Sequence, residues 1–367
     1  MEILTWITES DYLFYSMAIF DDNQIELFNQ SLQNGFSCAD PKSKESDFAI
    51  CLEALWIGSF FNQLSEFKIY SEISDAWNRI SKEEFNAYHK KDSWIWKCFH
   101  WSSTFYGIIP VSQMLKIVHI NKDIHVSEEE LIDIYRHFPK ALGSCYEKMV
   151  LLEDDCFVSY KRFGKHIYNS EEDKKEIQKN KEKQGDKDFY LPSGNEIELF
   201  NNNPHEYFLH YKAYQKYCEY MEQELGVSKE VIRHILDVVN AFAKRPYNSH
   251  YNFELHIFLK NKEIRFTSDE QVEKAAELFI EVINGTRMNI NRGYTPEELY
   301  LTNGISPDTE KFEITTVFYR APSNQVCKNN NNLNNEEPDI SNEGQLYLKL
   351  QADLENGHLI LMDMDIN

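Results

Sequence analysis

The sequence predicts a mainly α fold with a minor β component (α+β), and three observations support this prediction. Helix-start signals, in which Ser is followed three residues later by Glu or Gln, recur at Ser81, Ser127 and Ser268. Such a capping box satisfies free backbone N–H groups in the first turn of a helix. Apolar residues at helical spacing follow these signals. Runs of β-prone residues, in contrast, are short and gather at 149–160 and near the C-terminal end.

Residues 1–90 are predicted to form an N-terminal helical region. Asp21 and Asp22 precede an apolar pattern at mostly helical spacing, which Gly35 would end. The stretch 49–64 is rich in Leu, Ile, Trp and Phe. We therefore expect a buried helix over that stretch.

An aromatic cluster follows at 94–106. Its members are Trp94, Trp96, Phe99, Trp101, Phe105 and Tyr106. Aromatic rings stack on unpaired bases when basic side chains are interleaved with them, but only Lys97 and His100 interrupt this run. The pattern therefore favours a domain core over a nucleic-acid surface.

Residues 91–168 are predicted to form a winged-helix-like module, because two helices are followed by two short β-prone runs. The second helix begins with Glu128, Glu129 and Glu130 and adds Asp133, with Arg136 as the main counterweight. In a DNA-binding version of this fold the second helix enters the major groove. An acidic helix favours a protein-interaction or structural role, and DNA reading is the alternative.

The remaining chain divides into three predicted regions. A Lys- and Glu-rich run followed by turn residues makes 169–204 a charged linker, either an exposed helix or a disordered tether. Amphipathic patterns make 205–300 a helical domain. The segment 301–367 is predicted to be a small β or irregular region with a mobile loop at 325–344, which is rich in Asn and acidic residues.

Composition and charge bound the possible functions. The formal net charge is −22, and residues 1–80 and 297–367 each hold 13 acidic against 4 basic side chains. An acidic surface repels phosphate, so nucleic acid is disfavoured as a partner and a protein with a basic surface is favoured. Seven isolated cysteines are typical of an intracellular protein. Without a signal peptide or a long apolar run, we expect a soluble cytoplasmic protein with no membrane partner.

The segment Asn284–Leu299 is the most distinctive part of the chain. Thr295 is predicted to cap a helix that starts at Pro296, with Glu298 reaching back to the cap and Gly293 adopting a positive φ angle. Two interpretations remain open: the arginines hold the turn together, or they form an anion or peptide site beside a helix N-terminus. The candidate binding residues are Arg287, Asn289, Asn291, Arg292, Tyr294 and Thr295.

This segment also carries a family resemblance. Its Asn-x-x-Arg and Arg-Gly-Tyr-Thr-Pro-x-Glu-Leu patterns resemble the ending of intracellular proteins of low-GC Gram-positive bacteria related to the SEC-C-containing group. Many members of that group continue into a cysteine-rich SEC-C zinc motif. Here the only cysteine beyond Leu299 is Cys327, so that motif is missing. The resemblance implies a bacterial lineage and no particular reaction.

Patterns for catalysis and metal binding are weak. His205 and His210 lie five positions apart, so a helix separates their rings by about 140° instead of placing them on one face. Asp363 and Asp365 would share one face of a strand, where two carboxylates could bind a cation. No phosphate-binding loop or nucleophile motif is present. We predict no catalytic residues, no metal site and no cofactor.

Three functional hypotheses follow. The leading one is a non-enzymatic intracellular interaction or regulatory protein whose acidic ends bind a basic protein partner. The second is an effector or antagonist in phage or plasmid conflict whose acidic ends imitate nucleic acid. The third is a divergent metal-dependent nuclease or hydrolase that uses Asp363 and Asp365. The sequence leaves the oligomeric state open.

Overall fold

The computed structural model shows a mostly helical protein with small antiparallel sheets. It describes residues 7–8, 11–38, 40, 43–61, 65–139, 142, 149–151, 155–159, 171–243, 266–303, 311–319, 345–353 and 359–363. The contacts divide the chain into two compact units, which we describe separately. The first unit is 1–178 with 191–202, and the second is 179–190 with 203–367.

The first unit begins with short helices and a small sheet. The elements are α1 (Tyr12–Ala18), α2 (Asp22–Ser31), β1 (Phe36–Ser37), α3 (Lys44–Ala54), β2 (Gly58–Phe61), β3 (Glu66–Ile69) and α4 (Ser71–Trp77). Asp21 caps α2, and Gln24 completes a reciprocal capping box that was not predicted. The sheet is antiparallel in the order β1-β3-β2.

The predicted helix over 49–64 is wrong in its second half, because the chain leaves the helix at Ala54 and enters β2 at Gly58. A Cβ atom at Gly58 would lie 2.3 Å from the carbonyl oxygen of Lys68 on β3. Only glycine permits so close an approach of two backbones. Phe60 pairs with Phe67 across the strands, and their rings meet edge to face. These cross-strand contacts outweigh the helical appearance of the sequence.

A continuous apolar core supports this part of the unit. Phe28, Phe48, Leu52, Ile57 and Phe67 are all fully buried in it. Burial of large apolar side chains is the main stabilising contribution in such a core, at about 1.5–3 kcal/mol for each.

Helix α5 (Lys82–Phe105) runs for 24 residues and forms the centre of the rest of the first unit. Ser81 caps it by accepting a hydrogen bond from the Glu84 N–H group. Trp101 is fully buried, and the Trp94 indole N–H donates to the carbonyl of Val118. The aromatic cluster therefore packs as a core, and this prediction is confirmed.

Two helices and a hairpin pack after α5. The elements are β4 (Ile108–Pro110), α6 (Val111–Val118), α7 (Glu128–His137), β5 (Met149–Leu151) and β6 (Cys156–Ser159). Strands β5 and β6 are an antiparallel hairpin, and β6 also pairs with β4, so the sheet order is β4-β6-β5.

The segment predicted as a charged linker contains two helices, α8 (Glu171–Gln184) and α9 (Gly194–Asn202). Helix α9 lies in the first unit, where Lys97 forms a 2.7 Å ion pair with Glu198. His100 Nδ1 also lies 2.9 Å from the Asn201 amide oxygen. Residues 179–190 belong instead to the second unit.

The second unit continues with helices and ends with a sheet. Its further elements are α10 (Pro204–Leu209), α11 (Lys212–Gln223), α12 (Lys229–Ala243), α13 (Asp269–Asn284), α14 (Pro296–Asn303), β7 (Lys311–Tyr319), β8 (Gln345–Asp353) and β9 (Leu359–Asp363). The strands pair antiparallel in the order β7-β8-β9 and lie within 301–367, where a small β region was predicted. The predicted loop at 325–344 lies outside the described residues.

Candidate functional site

The distinctive segment forms a tight turn between α13 and α14. The Gly293 N–H group donates to the carbonyl of Met288 at 3.0 Å, and Arg292 and Gly293 have φ angles of 51° and 86°. Thr295 and Glu298 make the predicted reciprocal capping bonds, at 2.9 and 3.1 Å. The predictions of a glycine with positive φ and of a capping box are therefore confirmed.

Arg287 lies at the centre of this turn and is only 5% exposed. Its guanidinium group donates to both carboxylate oxygens of Glu298, at 3.0 and 3.3 Å, and to the carbonyl of Gly293 at 3.1 Å. Its Nε–H group donates to the Tyr211 hydroxyl at 3.2 Å. A buried guanidinium needs such partners because its desolvation is costly. Glu298 thus caps α14 and binds Arg287 with the same carboxylate.

A short strap at 185–190 covers the turn. The Tyr190 ring stacks on Arg287, with the guanidinium carbon 3.5 Å from the ring centroid. The Tyr190 N–H group donates to the carbonyl of Arg292 at 3.0 Å. Just before the strap, the side-chain amide of Gln184 donates to the carbonyl of Asn289 at 2.9 Å. The strap is therefore joined to the turn by one main-chain hydrogen bond and by stacking.

Arg292 holds the strap from the opposite side. Its guanidinium group donates to the carbonyls of Gly185 and Lys187 and lies 4.7 Å from the Phe189 ring centroid. Burial lowers the pKa of Arg292, and the nearby Asp186 and Asp188 carboxylates act in the opposite direction. The positive charge is thus placed against backbone carbonyls and acidic side chains of its own unit.

Tyrosine hydroxyls extend this polar network into the helices. The Tyr207 and Tyr211 hydroxyls bond each other, and Tyr214 bonds Asn240 at 3.1 Å and Thr286 at 2.7 Å. Burial raises the pKa of both Tyr207 and Tyr214. These hydroxyls are therefore protonated and serve as neutral hydrogen-bonding groups at neutral pH.

The structure thus brings the six candidate residues together in one turn. Asn289, Asn291 and Thr295 are buried in it, and Tyr294 meets the Tyr190 ring at 5.5 Å. Both arginines bind groups of their own unit, a geometry that favours the structural interpretation. An anion or peptide site at this turn stays a prediction.

A second candidate surface is the exposed face of α7. Ser127 caps the helix, Leu131 and Ile134 are buried beneath it, and Glu128, Glu129 and Asp133 are exposed. Glu130 forms a 2.8 Å ion pair with Lys91 of α5. The first-turn carboxylates are favoured by the helix dipole, but Asp133 lies beyond that turn. The helix therefore presents three carboxylates to solvent, with Glu129 and Asp133 on one side, Glu128 about 140° from Asp133, and Arg136 exposed as well.

Asp92 of α5 is a buried carboxyl beneath this surface. It is 5% exposed, and its Oδ1 atom has no hydrogen-bond partner among the described residues. Burial raises the pKa of Asp92 to about 6, the charges of Lys91 and His137 lower it, and that of Glu130 raises it. Burial raises the pKa of Tyr15, and the charge of Asp92 adds to this rise. The Tyr15 ring stacks on His137 with 5.0 Å between the ring centroids.

The described part of the chain offers neither a metal site nor a membrane-spanning helix. There, no group of three or more His, Cys, Asp or Glu side chains is placed to hold a metal ion. Within the same ranges, no helix has both the length and the apolar character that crossing a bilayer requires. Asp363 ends β9, and Asp365 lies outside the described residues.

Comparisons add no relative to this description. The chain matches no protein-family model, no curated protein and no solved structure. The resemblance to the SEC-C-related group therefore stays a prediction, and the geometry alone carries the functional argument.

Sequence reasoning missed the residues that bind the two arginines from a distance. Tyr190 and Phe189 lie about a hundred positions before Arg292, and Tyr211 immediately precedes α11, so no local spacing connects these aromatic residues to the arginines. The one available signal is an aromatic pair at the end of an otherwise polar run. Such a pair indicates that the run packs against something.

Proposed function

We propose that this chain is a non-enzymatic interaction or regulatory protein that binds a basic protein partner through the exposed acidic face of α7. The observation that carries the proposal is the exposure of three carboxylates on this helix, those of Glu128, Glu129 and Asp133. Charges that remain in solvent attract a partner of opposite sign and raise its association rate.

We interpret the elements around α7 as a winged-helix-like scaffold, which allows α7 to be compared with a DNA-binding helix. The arrangement of α5, β4, α6, α7 and the β5-β6 hairpin, with the sheet order β4-β6-β5, supports that interpretation. In DNA-binding modules of this kind, the helix in the position of α7 enters the major groove. Carboxylates on that helix would face phosphates and repel them. The same position would therefore bind a protein with Lys and Arg on its surface.

A second candidate follows from the same carboxylates. If the basic surface of the partner normally binds nucleic acid, the carboxylates of α7 would compete for it, in the role that the conflict hypothesis gave to the acidic ends. Duplex DNA added to the complex would then displace the chain from its partner.

Paired charge variants test the leading proposal. The first variant combines Glu128→Gln, Glu129→Gln and Asp133→Asn, and the control combines Glu206→Gln, Glu219→Gln and Glu224→Gln at exposed positions of the second unit. Both variants change the net charge by the same amount. The tagged chains would be used to capture partners from a lysate of the source cells, with and without nuclease.

We expect a stoichiometric basic protein that nuclease treatment does not remove, that the control retains and that the α7 variant loses. Recovery that requires nucleic acid, or equal recovery by both variants, would contradict the proposal. Thermal unfolding of each variant checks that α7 remains folded, since lost dipole interactions cost about 0.3–1 kcal/mol each.

A further inference from the structure

An exposed tryptophan ends helix α3 in a backbone conformation that tryptophan disfavours. Trp56 has a φ angle of 61°, its N–H group donates to the carbonyl of Glu53, and the Ile57 N–H group donates to that of Leu52. Both bonds measure 2.9 Å. This pair of bonds defines a Schellman ending, whose left-handed position is usually filled by Gly or Asn.

Burial of the Trp56 side chain offsets little of the cost of its left-handed backbone conformation. A left-handed conformation brings Cβ close to the following carbonyl, and for a bulky residue it is a rare outlier. The apolar contact that accompanies a Schellman ending is made by the buried Leu52 and Ile57. Trp56 itself is 58% exposed. Strain that the fold does not require points to a functional role for the side chain.

The surface around Trp56 is acidic. Asp47, Ile50 and Glu53 recur every third position on α3, and all three are exposed, Ile50 by 48%. Each is a surface neighbour of the next on the helix, and Ile50 lies between the two carboxylates. Residues 1–80, which contain this helix, hold 13 acidic and only 4 basic side chains. A strained aromatic residue thus follows an exposed stripe of two carboxylates and one aliphatic side chain.

We propose that Trp56 and the stripe of Asp47, Ile50 and Glu53 bind an arginine-bearing basic segment of a protein partner. A guanidinium group stacks well on an indole ring and pairs with a carboxylate, whereas an ammonium group lacks the planar fork. Large aromatic residues and arginine are also the side chains that contribute most at protein interfaces. This inference rests on the proposed function, because it assigns a contact chemistry to the basic partner.

Two labelled peptides separate stacking from charge. One is an arginine–glycine repeat, and the other is a lysine–glycine repeat of equal length and charge. Their affinities would be measured by fluorescence anisotropy for the full chain, for Trp56→Gly and for the α7 charge variant. Glycine suits the left-handed position, so Trp56→Gly is expected to melt at the same temperature as the wild type or higher.

The wild type is expected to prefer the arginine peptide by roughly fivefold. Trp56→Gly should lose that preference and retain the weaker binding that both peptides share. The α7 variant should bind both peptides less and keep the preference. No preference in the wild type, or an unchanged preference in Trp56→Gly, would overturn the inference and leave the proposed function standing. No binding of either peptide to the wild type would overturn both.

Discussion

At the scale of single residues, the arginines of the distinctive segment 284–299 bond groups of their own unit. Arg287 is held by Glu298, Tyr211 and Tyr190, and Arg292 by the carbonyls of the strap at 185–190. The Arg287 guanidinium group has the partners that burial demands, whereas the Nε atom of Arg292 is buried without a hydrogen-bond partner among the described residues. A distinctive sequence pattern can therefore reflect the contacts that stabilise a turn.

Replacing Arg287 tests how much its contacts stabilise the turn. Arg287→Gln leaves Glu298 without its buried partner, and breaking a buried pair costs about 3–5 kcal/mol. Because the Glu298 side chain is 38% exposed, we expect a smaller loss, about 2–3 kcal/mol in the free energy of unfolding. Denaturant titration of the full chain, with a probe in the second unit, measures it.

Lys216→Gln is the matched control, since its ion pair with Glu281 is about half exposed on both sides. It should cost less than about 1 kcal/mol. Equal effects of the two substitutions would show that the guanidinium group does not fasten the turn.

Asp92 supplies a pH-dependent prediction. Because burial raises the pKa of Asp92 to about 6 in the folded chain, above about 3.9 in the unfolded chain, the folded state binds the proton more tightly. Stability therefore falls as the pH rises from about 4 to about 6. Asp92→Asn removes this penalty and should stabilise the chain by about 1–2 kcal/mol at pH 7.5.

Melting temperatures of the wild type and of Asp92→Asn, measured from pH 4 to 8, would check the sign. The difference between them should shrink toward acid pH. Asp75→Asn, at an exposed position, serves as the control. A variant that is less stable than the wild type at pH 7.5, with no change of the difference with pH, would contradict a buried, ionised Asp92.

At the scale of elements, helix starts could be predicted from local signals, whereas elements that depend on distant contacts could not. The caps at Asp21, Ser127 and Thr295 depend on residues three positions away, so they could be read from the sequence. Strand β2 could not, because it depends on pairing with β3. The same reason hid the strap from the sequence analysis, since its partners lie in a distant segment.

At the scale of the whole molecule, the sequence predicted a mainly helical protein with a small β element near its C-terminal end, and the structure agrees. Its prediction of one continuous linker did not anticipate that 179–190 and 191–202 belong to different units. The carboxylates of α7 were visible in the sequence, but their exposure to solvent needed the fold. The six candidate residues lie in one turn and their binding role stays a prediction, while the residues that contact their arginines were not predicted.

Hydrogen–deuterium exchange of the full chain, alone and with the lysine–glycine repeat peptide, tests the central claim most directly. We predict that the peptide slows amide exchange at 127–137, where α7 carries its carboxylates, and leaves exchange at 285–295 unchanged. Higher salt should weaken the effect, because solvent-exposed charges are screened. Slowed exchange confined to 285–295, or no change anywhere at saturating peptide, would contradict the account and favour the turn of Arg287 and Arg292 as the binding site.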